Sequence, residues 1–105
     1  MIKAKKSLSQ NFIIDKNICK KIILQTKIKN ETVLEIGPGY GFLTDIILKN
    51  EPKKLILIEK DTNLVKFLKK KYYLNNKILI IEKDILKLDL RNYKNLLIIS
   101  NLPYL

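Results

Sequence analysis

The chain has 105 residues, a formal net charge of +11 and a hydrophobic content of 47%, which suffices for one small domain with a modest core. Its longest apolar runs, such as "LILI" at 55–58, are far too short to span a membrane. A single cysteine, Cys19, excludes an internal disulfide and fits a reducing, cytoplasmic setting, and with no histidine and no cysteine cluster a metal site is not expected.

Residues 1–14 form a basic arm ending in "SLSQNFII"; no apolar signal segment follows the charged start. Asp15 is a good N-cap for a helix through about Ile28, where Ile18 and Ile22, and Cys19 and Ile23, repeat at four-residue spacing. "TVLEI" (32–36) reads as a strand, followed by the glycine stretch and a helix, "FLTDIILKN", with Phe42, Ile46 and Ile47 on its buried side. "EP" at 51–52 stops that helix. A second strand, "KLILIE" (54–59), leads to a second helix over 61–72, with Asp61 as N-cap and Leu64, Phe67 and Leu68 inward. "KILIIEKD" (77–84) is a third strand, "ILKLDLRNY" is irregular or a short turn, and "NLLIIS" (95–100) is a fourth strand before "NLPYL".

These strands are apolar on both faces and alternate with helices. That pattern belongs to an α/β fold, a doubly wound parallel sheet covered on each side. Four strands make an incomplete sheet, and the fourth, "LLII", is expected to be a nearly uncovered apolar edge.

All three glycines, Gly37, Gly39 and Gly41, fall within five residues. They lie between the first strand and its crossover helix, where open α/β sheets form their ligand crevice. A plain turn needs fewer; three glycines in so glycine-poor a chain point to a ligand lying against the backbone. The spacing G-x-G-x-G is not the dinucleotide fingerprint, whose third glycine would stand at Phe42, and no Gly-Lys-Ser/Thr follows for a phosphate loop. Glu35 is a poor neighbour for a pyrophosphate and a good one for an ammonium or sulfonium group. Phe42 and Glu35 therefore weigh against a nucleotide-dependent oxidoreductase. Glu59, ending the second strand, can accept both hydroxyls of a ribose. Asp84, ending the third, can accept from an adenine amino group, with the Ile85 N–H donating to the ring. Acids at three successive strand ends describe a nucleoside pocket without phosphate contacts, and S-adenosyl-L-methionine fits it.

The net charge suggests a polyanion partner. Yet 20 of the 21 basic residues are lysine, and Lys, Ile and Asn fill 48 positions, a bias that AT-rich coding would also produce. Charge supports a nucleic-acid function found elsewhere and does not establish one.

Taken together, "SQNF" (9–12), "EIGPGYGFLT" (35–44), "IEKD" (58–61), "KDIL" (83–86) and "NLPY" (101–104) resemble the KsgA/RsmA family of rRNA adenine N6-dimethyltransferases. The resemblance spans nearly the whole chain and implies a Rossmann-like, S-adenosyl-L-methionine-dependent methyltransferase fold. It implies that Gln10, Asn11 and Phe12 close over the methionine end of the cofactor, that Gly37 meets its amino-acid moiety, Glu59 the ribose, and Asp84 and Ile85 the adenine. Asn101 and the Leu102 carbonyl would accept hydrogen bonds from the target N6 amine, Asn101 also touching the cofactor. Pro103 would shape the turn and Tyr104 would stack on the swung-out adenine. Its implied partner is a precursor of the small ribosomal subunit, in the cytoplasm, with no metal or membrane and a monomeric state. Ser9 stands where that family usually has glycine. In this the chain resembles the erythromycin-resistance 23S rRNA methylases, the alternative enzyme reading; a non-catalytic RNA-binding remnant of the fold is the other. The resemblance covers the N-terminal part of such a catalytic domain, so the expectation is a fragment, marginally stable and weak or inactive in catalysis alone.

Overall fold

The computed structural model describes residues 2–4 (backbone), 27–91, 93 and 95–100. In chain order the elements are β1 (Ile2–Ala4), β2 (Thr32–Ile36), α1 (Phe42–Lys49), β3 (Lys54–Glu59), α2 (Thr62–Lys71), β4 (Ile78–Glu82), a 3-10 turn (Ile85–Lys87) and β5 (Leu96–Ser100). They build one five-stranded sheet of order β1-β5-β2-β3-β4. The pairs β5–β2, β2–β3 and β3–β4 are parallel, as the double-sided apolar strands predict. The helix expected over residues 15–28 lies outside the described residues apart from Lys27 and Ile28, which are not helical.

Alternation along each strand sorts the core into two faces. Val33, Leu55, Leu57, Leu97 and Ile99 pack against Leu43, Ile46 and Ile47 of α1 and Leu68 of α2. Leu34, Ile36, Ile56, Ile58, Leu96 and Ile98 form the opposite face. Both described helices lie on the first face. Among the described residues, Ile85, Leu88, Leu90 and Tyr93 of the irregular segment pack against the second.

Three expectations need correction. β5 is not an uncovered edge: β1 pairs with it antiparallel, Ile2 opposite Ser100 and Ala4 opposite Ile98, and all five β5 residues are buried. Part of the basic arm is thus an edge strand. It is β4 that stands at the other border, with Leu79 41% exposed. In α1, Phe42 is exposed and Leu43 takes the inward place; Leu43, Ile46 and Ile47 share the face that meets the sheet, and Phe42 lies one position off it. In α2 the fully inward residues are Val65 and Leu68, while Leu64 and Phe67 are half-buried.

Asp61 caps α2 as predicted, its side chain accepting from the Asn63 and Leu64 N–H groups at 2.8 and 3.1 Å. α1 starts differently. Its N-cap is Gly41, with φ 91° and no side-chain cap, so the loop before it determines how the helix begins.

Candidate cofactor site

In a parallel sheet every strand ends on the same side. The glycine loop after β2, the turn after Glu59 of β3 and the turn after Glu82 of β4 share that border, where Glu59 stands opposite Glu82 and Ile36 opposite both Ile58 and Ser100. All three glycines have positive φ: 66° at Gly37, 59° at Gly39 and 91° at Gly41. Two of them show different uses of a missing side chain. A Cβ on Gly39 would meet nothing within 4 Å, so this backbone faces open space; a Cβ on Gly41 would collide with the Tyr72 hydroxyl. Gly39 thus leaves room on the crevice side, and Gly41 lets α2 close against the back of the loop.

Glu59 is 7% exposed and ties two turns together. Its Oε2 accepts from the Asp61 N–H at 2.9 Å, and its Oε1 lies 3.4 Å from the Gly39 N–H, a long contact. A carboxylate has about four acceptor positions, so lone pairs remain for ligand hydroxyls at the mouth of the loop. Asp84 uses Oδ1 to accept from the Leu86 N–H at 3.0 Å and caps the 3-10 turn that begins with Ile85. Glu82, not singled out by the sequence, accepts from the Thr62 hydroxyl at 2.8 Å beside Asp61.

Glu35 departs from the expectation of an acid beside a cationic ligand group. It is fully buried under α1. Its Oε1 is 2.6 Å from the Thr44 hydroxyl and its Oε2 has no partner. Burial pushes its pKa up to about 8; the Thr44 hydrogen bond opposes this, and Asp45 and Glu59 add to it. At neutral pH Glu35 is therefore mainly a neutral acid inside the fold. Thr44 was missed because it reads as an ordinary helix residue; only packing puts its hydroxyl over Glu35.

Gln10, Asn11, Phe12, Asn101, Leu102, Pro103 and Tyr104 lie outside the described residues. The structure brings together the middle of the expected set: the glycine loop, Glu59, and the Asp84–Ile85 turn. Among the described residues no group of histidine, cysteine, aspartate and glutamate could hold a metal, and no helix is long and apolar enough to cross a membrane.

The family model of ribosomal RNA adenine dimethylase matches residues 1–105. The chain belongs to that family. It is 50% identical to ribosomal RNA small subunit methyltransferase A of Pelagibacter ubique, over 98% of this chain and 39% of that one. With the same enzyme of Hydrogenobaculum sp. it shares 43%, over 99% and 40%. The chain therefore spans about two-fifths of these relatives' length. Among solved structures, a dimethyladenosine transferase from Plasmodium falciparum matches with a TM-score of 0.63 and 35% identity, covering 75% of this chain and 30% of that one. The 23S rRNA methyltransferase ErmE matches with 0.62 and 28%, covering 75% and 32%. The fold is the Rossmann-like one of these dimethylases in part: four parallel strands and their connections, with β1 added at one border.

Proposed function

We propose that this chain is the cofactor-binding part of an S-adenosyl-L-methionine-dependent enzyme that dimethylates adenine N6 in small-subunit (16S) rRNA. The observation that carries the reading is the open backbone at Gly39 set against the Glu59 carboxylate, at the shared end of parallel strands. In this reading Glu59 accepts from the ribose hydroxyls, Gly37, Gly39 and Gly41 shape the wall against the amino-acid end, and Asp84 and Ile85 address the adenine. Glu35, neutral and buried, supports the loop from beneath. Gln10, Asn11 and Phe12 close over the methionine end.

The donor set fits such a ligand. It offers a carboxylate for hydroxyls and bare backbone for close approach. Among the described residues the one ammonium bonded to the loop, that of Lys71, is engaged by Asp45 and the Tyr40 carbonyl. The cofactor, when bound, supplies an electrophilic methyl group on a sulfonium centre. The chain's part is orientation. Asn101 and the Leu102 carbonyl accept from the target N6 amine, favouring a pyramidal nitrogen with its lone pair aimed at the methyl, while Tyr104, on the turn shaped by Pro103, stacks on the base. No strong base is required.

The proposed partner is precursor small-subunit rRNA, met in the cytoplasm by a monomer. The test is methyl transfer from labelled cofactor to undermethylated 30S subunits and, separately, to 23S rRNA, with binding of S-adenosylhomocysteine measured in parallel. Dimethyladenosine in 16S rRNA supports the reading. Transfer to 23S rRNA alone would favour the erythromycin-resistance type, to which the ErmE match points. Binding of S-adenosylhomocysteine without transfer is what a fragment inactive alone would give; binding of rRNA with neither would favour a non-catalytic module.

A further inference from the structure

We infer that Tyr72 and Lys71, at the end of α2, are positioning residues for the cofactor loop: they clamp Tyr40, Gly41 and Asp45 so that the open backbone at Gly39 is already set when ligand arrives. The inference rests on the functional reading above.

The clamp is built from Lys71 and Tyr72 at the end of α2, with Phe67 one turn before them. Lys71 Nζ donates to the Tyr40 carbonyl at 3.0 Å and to Asp45 Oδ2 at 2.9 Å. The Tyr72 hydroxyl donates to Asp45 Oδ1 at 2.6 Å and lies 3.2 Å from the Gly41 carbonyl. Its single proton goes chiefly to the carboxylate, the shorter and charge-assisted bond. Phe67 meets the Tyr40 ring edge-on, with centroids 5.1 Å apart. All of this converges on the back of the loop and on the first turn of α1, 26 to 31 residues away in sequence.

The front of the loop is held far less. Gly37 continues the ladder by donating to the Ile58 carbonyl at 2.9 Å, but Gly39 has only the 3.4 Å contact with Glu59. Three left-handed residues in five are costly to order, and within the loop the Gly41 N–H to Pro38 carbonyl bond at 2.9 Å closes the turn. β3 holds Gly37 and touches Gly39, and the α2 end is what meets Gly41 and the residues on either side of it. Gly41 shows the fit: the place of its missing Cβ is where Tyr72 sits. The Tyr72 hydroxyl also keeps its proton. Burial, with the hydrogen bond and charge of Asp45, pushes the Tyr72 phenol above its ordinary range. A loop ordered in advance does not lose that ordering entropy on binding, so the clamp's effect is read in affinity.

The test uses the full chain with Tyr72→Phe and Lys71→Met, singly and together. Affinity for S-adenosylhomocysteine is measured by calorimetry, amide exchange at residues 39–45 by NMR, and global stability by urea. Each single change is expected to weaken binding about tenfold, Tyr72→Phe by losing one charge-assisted hydrogen bond and Lys71→Met by losing two exposed ones. Exchange should quicken at 39–45 and stay unchanged in β3 and β5. Lys71→Arg should recover most of the affinity, and Lys70→Met, one position off the clamp, should bind like the parent. Unchanged affinity in the variants overturns the inference, as does a loss that merely tracks global unfolding. If the parent itself binds no S-adenosylhomocysteine, the functional reading is what has failed, and the inference falls with it.

Discussion

Glu35 holds a proton that an exposed glutamate would have lost. Its pKa rises from 4.5 to about 8, chiefly because burial disfavours the charge. Between those values the unfolded chain has released this proton and the folded chain still binds it, so rising pH favours the unfolded state. The penalty is absent below 4.5 and complete above about 8. Its slope within the window is about 1.4 kcal/mol per pH unit. Glu35→Gln keeps the size and a partner for Thr44 but cannot ionise. Urea unfolding from pH 5 to pH 8 should show the variant gaining on the parent as pH rises; parallel curves would mean that Glu35 is ionised in the fold. Glu59 is the contrasting acid, placed at the loop and bonded to backbone N–H groups. Glu59→Ala should abolish measurable S-adenosylhomocysteine binding in calorimetry.

At the scale of elements, α2 does more than cross over between strands. Its start is held by Asp61, which satisfies two of the helix's free N–H groups, and Asp61→Ala should cost about 1 kcal/mol in denaturant unfolding. Its middle is anchored by Leu68, which is fully buried against the sheet; Leu68→Ala should cost about 2–5 kcal/mol. Its end reaches the glycine loop. The first two roles were legible from an Asx residue before an apolar period and from the period itself. The third was not. "KKKYY" reads as a solvated, charged tail, and only packing α1 beside α2 brings its Lys71 and Tyr72 to Asp45. Phe42 illustrates the same limit from the other side: the four-residue spacing to Ile46 is satisfied equally by Leu43 and Ile47, and the sheet chose the latter pair.

At the scale of the molecule, the sheet has two borders of unlike character. β5, wholly apolar from Leu96 to Ile99, is paired with β1 over Ile98, Ile99 and Ser100. β4 has its backbone edge free of a strand among the described residues, and none of its five residues is buried. Deleting residues 1–4 should uncover the β5 edge and promote self-association. Light scattering across a concentration series should show this, the parent remaining lower. An unchanged profile would mean that β1 does not protect that edge in solution.

The amino-acid sequence by itself determined the parallel α/β sheet, because four apolar runs free of alternation can be buried only between two covering layers. It also located the glycine loop after the first parallel strand, because three glycines at one strand end exceed what a simple turn would need. The tertiary structure decided what pattern cannot carry: which strand is shielded by β1, that Glu35 lies inside rather than at the crevice, and that the loop is gripped by the end of α2. Each depends on residues far apart in the chain meeting through packing, and local periodicity holds no record of such meetings.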